Sequence, residues 1–124
     1  MTWTVSYDEA GKTVVVKTKG VFDRESMATM RKDIIDAIKE YGARRCLLDH
    51  REVTSVKVNT TDIYEMPRAY SESGVPRTLR IAVVVQEPGM EKVKFFETTS
   101  RNVGFQVSTF TDVEAANVWL RNEA

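Results

Sequence analysis

Residues 74–86 read Gly-Val-Pro-Arg-Thr-Leu-Arg-Ile-Ala-Val-Val-Val-Gln. Gly74 and Pro76 stop a preceding helix. The run from Thr78 to Gln86 is then the most apolar stretch of the chain, as expected of a strand central in a sheet covered on both faces. The surrounding pattern repeats. A helix often ends on glycine because the residue beyond its last turn takes a left-handed conformation that costs a side chain with a Cβ about 1 kcal/mol. Gly42, Gly74 and Gly104 each close a stretch with helical periodicity, and each precedes an apolar run. The order helix, glycine, strand thus occurs three times. Alternating strands and helices with short connections predict a largely parallel sheet covered by helices.

On the N-terminal side, Asn59-Thr-Thr-Asp62 supplies four consecutive capping side chains, and Ile63, Met66 and Tyr70 give the helix that follows its inner stripe. Pro67 lacks the N–H of a ladder bond, which predicts a kink or a late start. Arg45 to His50 reads as a buried strand and residues 51–58 as a polar loop. Asp23 is the expected N-cap of the longest helix, about residues 24–41, whose stripe is Met27, Met30, Ile34, Ile38 and Tyr41. At the start of the chain, residues 2–7 place Trp3, Val5 and Tyr7 on one face. The turn Asp8-Glu-Ala-Gly11 then leads into the valine-rich run 12–19, closed by Gly20, so the two runs predict a hairpin.

On the C-terminal side, Glu87-Pro88-Gly89 breaks the strand. Met90, Val93, Phe96 and Val103 mark a third helix with Phe95 on its flank, and Phe105, Val107 and Thr109 mark the last strand. Thr111 and Glu114 have capping-box spacing, and Val113, Ala116, Trp119 and Leu120 form the inner face of the final helix. The order is β-β-α-β-α-β-α-β-α: an α/β chain, one domain over residues 1–124, with a mixed, mostly parallel five-stranded sheet and four helices.

The 124 residues include 18 Lys and Arg against 18 Asp and Glu. No net field draws the chain to nucleic acid or an anionic membrane. Its longest aliphatic run, Ile81 to Val85, is too short to span a bilayer, and residues near the start lack a signal-like apolar stretch. The lone Cys46 lies in an apolar run, as a buried hydrophobe does. A cytoplasmic location follows as an expectation.

Chemistry is sparse. The glycines stand singly, outside any phosphate-binding or nucleophile-elbow motif. One His and one Cys do not make a zinc ligand set, and no cofactor is expected. Any imidazole chemistry falls to His50, expected on a surface loop. Its neighbours Asp49 and Arg51 both lie on the other side of an extended strand, which argues against an Asp-His pair. In an open α/β sheet, ligands gather where strands end and helices begin. That edge is expected to hold Asp49, His50, Asn59, Thr60, Thr61, Gln86 and Ser108, residues that serve equally as turn and cap formers.

Three stretches carry a resemblance. They are the strand and polar loop Leu47 to Thr54, the turn Asn59-Thr60-Thr61-Asp62, and the ending Phe110-Thr-Asp-Val-Glu-Ala-Ala-Asn-Val-Trp-Leu120. The last is similar to the F-x-D-x-E-x-A-x-x-W-L tail of SpoIIAA-like bacterial proteins, and over nearly its whole length the chain resembles a STAS domain of that kind. The resemblance implies a non-enzymatic regulatory module that meets a protein partner, a kinase or an anti-sigma-like regulator. In the anti-sigma-factor antagonists an Asp-Ser-Ser-Gly signature carries the phosphoserine. Here Asn59, Thr60, Thr61 and Asp62 occupy those places, so Thr60 stands as phosphoacceptor and Asp62 adds a carboxylate that repels phosphate. The alternative, by analogy with the CRAL-TRIO lipid-binding architecture, is a pocket for an apolar small molecule lined by Met27, Met30, Met66, Phe95 and Phe96. An exposed sheet edge makes a homodimer the expected assembly. An enzymatic role is confined to Asp49, His50 and Thr60.

Overall fold

The protein is described by a computed structural model over residues 1–87 and 90–122. Strands β1 (Thr2–Asp8) and β2 (Thr13–Asp23) form an antiparallel hairpin, and β3 (Arg45–Lys57), β4 (Arg80–Val84) and β5 (Gln106–Phe110) join in parallel. The sheet order among the described residues is β1-β2-β3-β4-β5, so consecutive strands are neighbours throughout. The middle position belongs to β3; β4, the expected centre, lies beside it, flanked on both sides.

Alternation along each strand divides the side chains between two faces. Val14, Val16, Cys46, Leu48, Ile81, Val83 and Val107 pack beneath helices α1 (Arg24–Tyr41), α2 (Thr60–Glu72) and α3 (Met90–Asn102), which supply Met27, Met30, Ile34, Ile63, Met66, Tyr70 and Phe96. Leu47, Ala82 and Val84 face the other way, against Ala116 and Leu120 of α4 (Val113–Arg121). Among the described residues, three helices therefore cover one face and one covers the other. Trp3, Val5 and Tyr7 share the three-helix face as expected; the Trp3 indole donates to Asp33 at 2.8 Å, and Tyr7 stacks on Tyr41 with centroids 4.4 Å apart.

Gly42 closes α1 at φ 61°, its N–H on the Ile38 carbonyl, and Gly74 and Gly104 stand just beyond α2 and α3. Several boundaries differ from expectation. Gly20, at φ 101°, lies inside β2 where its register with β3 shifts, so it marks a bulge and not the strand's end. Beyond it, Val21, Phe22 and Asp23 pair with Ser55, Val56 and Lys57, which makes residues 51–57 strand where a loop was expected. These residues read as polar because the β2–β3 pair runs on past the end of β4. Asp49 is level with Val84, and residues 50–57 carry the arm roughly 25 Å farther.

Helix α2 begins at Thr60 and continues through the buried Pro67, without a late start. The N-cap of α4 is Asp112, whose carboxylate accepts from the N–H groups of Glu114 and Ala115, in place of the expected Thr111. Val103 lies beyond α3 and is exposed. Of the expected break at residues 87–89, Pro88 and Gly89 lie outside the described residues.

Candidate functional site

The residues expected on one rim fall into three groups. Asn59, Thr60 and Thr61 sit at the tip of the β2–β3 arm. Asn59 caps α2 reciprocally: its side chain accepts from the Asp62 N–H at 2.9 Å, and the Asp62 carboxylate accepts from the Asn59 N–H at 3.1 Å. Arg24 of α1 meets the other Asp62 oxygen at 3.3 Å. The carboxylate that repels a phosphate is thus buried and already engaged by a cation and an N–H. Thr60 and Thr61 are exposed in the first turn, and no hydrogen bond holds either hydroxyl among the described residues. The next exposed side chain of the helix is Tyr64.

The second group lies on the α4 face. Asp49 is buried and receives Nε and an Nη of Arg51 at 2.9 Å each. Burial alone would raise its pKa, but these bonds and the nearby Lys17 hold it below the ordinary carboxylate value. Ser108 lies mid-strand opposite Ala82, two residues before the end of β5.

The third group is His50 and Gln86, which border a cavity of about 520 Å³ between the sheet and helices α1, α2 and α3. His50 lies inside β3 and turns toward the three-helix face, so it is a strand residue and not the surface-loop histidine expected. Asp49 projects the other way, as alternation requires, and no Asp-His pair forms. The His50 Nδ1 lies 2.7 Å from the Thr18 hydroxyl, and Phe22 meets the ring edge-on at 5.5 Å. Burial pushes its pKa down to about 4 against the opposing pull of Asp49, so the ring is neutral at neutral pH. Gln86 donates to the Arg51 carbonyl at 2.6 Å across the mouth.

Met30, Met66 and Phe96 line the cavity. Met27 is buried in the core outside its lining, and Phe95 is 38% exposed on the flank of α3. Tyr70 closes the interior; burial raises the pKa of its phenol. Cys46 is buried too, its thiol pushed up to about 12 and inert. Sequence reading missed Thr18 and the wall from Val53 to Val58. The signals were there: Thr18 continues the alternation of Val14 and Val16, and Val53, Val56 and Val58 are β-branched. No group of acidic, histidine and cysteine side chains suited to a metal occurs among the described residues, and no described helix is long and apolar enough to cross a membrane.

No family model matches the chain, and no curated protein sequence does either. Among solved structures it is similar to an anti-sigma factor antagonist from Mycobacterium paratuberculosis, with a TM-score of 0.67 and 15% identity over 98% of this chain and 96% of that one. It is similar also to the anti-sigma factor antagonist SpoIIAA in its unphosphorylated form, with a TM-score of 0.62 and 15% identity over 98% of this chain and 100% of that one.

Proposed function

This chain carries the SpoIIAA-like fold of the anti-sigma factor antagonists, and from that premise we propose that it is a non-enzymatic regulatory module. It meets a protein partner at the tip of the β2–β3 arm and the start of α2, with Thr60 as its phosphoacceptor. One observation supports this reading above the others: Asn59 and Asp62 spend their side chains on the cap, whereas the Thr60 hydroxyl is exposed and unengaged at the helix N-terminus. A phosphate placed there gains from the helix dipole. Tyr64, 61% exposed one turn along, adds an aromatic contact of the kind that anchors interfaces. The partner class is an anti-sigma-type serine/threonine kinase. Calorimetric titration of such kinases from the same organism tests the role: the unmodified chain binds one of them, and Thr60→Glu and Tyr64→Ala each weaken binding at least tenfold. Binding by no kinase, or undiminished binding by both variants, overturns it.

A second reading, binding of an apolar small molecule, is favoured by the cavity itself. Its volume of about 520 Å³ falls in the range of ligand sites, and Met30, Met66 and Phe96 give it an adaptable apolar lining. Native mass spectrometry of freshly purified protein checks it: an organic adduct supports the reading. A bare chain that also fails to take up para-hexylphenol removes it.

A further inference from the structure

One polar group of the cavity lining, His50, meets a hydroxyl that has a second partner as well. The Thr18 hydroxyl has a single proton and two neighbours, the Asp49 carbonyl at 3.4 Å and the His50 Nδ1 at 2.7 Å. Both contacts are satisfied together in one way: the hydroxyl donates to the carbonyl and accepts from Nδ1–H. A neutral imidazole protonated on Nδ1 presents a bare lone pair at Nε2. Nδ1 is turned back to β2, so Nε2 is the ring nitrogen left to the cavity that His50 lines, and no hydrogen bond holds it among the described residues.

Of the other polar side chains in the lining, Thr54, Ser55 and the Glu91 carboxylate are exposed and keep their own solvation. Gln86 donates to the Arg51 carbonyl, and the Lys92 ammonium reaches the Val56 and Val58 carbonyls at 3.4 and 3.5 Å. The Tyr70 phenol both donates and accepts, so it discriminates between no ligand classes. We propose that the cavity selects an apolar molecule bearing one hydrogen-bond donor, a hydroxyl delivered to His50 Nε2, with Thr18 as the positioning residue that fixes the ring. This rests on the reading of the cavity as a ligand site and adds the chemical class of the ligand. The lowered basicity of the buried ring keeps Nε2 unprotonated over the neutral range.

The test uses para-hexylphenol, its methyl isostere para-hexyltoluene and the acceptor-only para-hexylanisole, each titrated into the purified full chain. The expected result is that the phenol binds roughly five- to tenfold more tightly than the other two, the range one net hydrogen bond supplies. His50→Phe and Thr18→Val each erase that preference. Three probes that bind equally, or a preference untouched by both substitutions, overturn the donor inference and leave the cavity reading standing. Failure of all three to bind removes the cavity reading, and this inference with it. Because His50 is the only histidine, the nitrogen NMR spectrum of the unliganded protein reads its tautomer without any variant. The Nδ1–H form is expected, and the Nε2–H form overturns the proposal.

Discussion

At the scale of single residues, His50 makes the protein's stability depend on pH in a definite window. Its folded pKa is near 4 and its unfolded value near 6.5. Above pH 6.5 both states hold a neutral ring. As pH falls, the unfolded chain takes the proton first, so stability is lost progressively between 6.5 and 4 and the loss levels off below. The shift corresponds to roughly 2–3 kcal/mol, after discounting for the part of the ring that solvent reaches. Asp49 acts in a separate window: its folded pKa lies below 3.8, so its contribution is full above that value and disappears only as pH falls through the lower one. Urea unfolding at pH 7 and pH 4.5 checks this. The native chain is expected to lose most of that energy between the two, and His50→Phe to lose much less.

At the scale of elements, α1 was legible almost to the residue, because a stripe of Met27, Met30, Ile34 and Ile38, a capping Asp23 and a terminal Gly42 all point to one answer. Gly42 is at φ 61° with nothing within 4 Å of where a Cβ would lie. Gly42→Ala is therefore expected to cost about 1 kcal/mol through backbone strain alone. Thermal unfolding of that variant measures it, and an unchanged midpoint contradicts the left-handed cap. The arm was hard to read for a physical reason: residues 51–57 pair with β2 past the end of β4, so five of the seven are exposed and Val53 and Val56, half-buried in the cavity wall, are the apolar residues left to signal a strand. The site suffered the same way. Alternation did place His50 opposite Asp49, but with β3 cut short at residue 50 the histidine read as a loop residue. Its partner Thr18 belongs to a strand distant in sequence, and the cavity is made by helices whose packing no single-strand pattern specifies.

At the scale of the whole molecule, the described residues put three helices on one face of the sheet and α4 on the other, and the crowded face is not uniformly filled. Ile34 is 1% exposed and lies outside the cavity lining, whereas Met66 borders the cavity. Ile34→Ala is expected to cost 2–5 kcal/mol, in the usual range for deleting a packed aliphatic side chain. Met66→Ala is expected to cost clearly less, because that side chain already borders space. Denaturant unfolding of the two variants checks the ordering, and equal losses contradict an open cavity. The tip and the cavity share α2, which begins at the exposed Thr60 and continues into the lining through Ile63, Met66 and Tyr70. The regulatory reading depends on the tip. Its most direct test is phosphate mapping by mass spectrometry after the purified chain is incubated with ATP and the anti-sigma-type kinases of its own organism. A single phosphate on Thr60 is expected, lost in Thr60→Ala and retained in Thr61→Ala. Absence of incorporation, or phosphate that persists in Thr60→Ala, contradicts it.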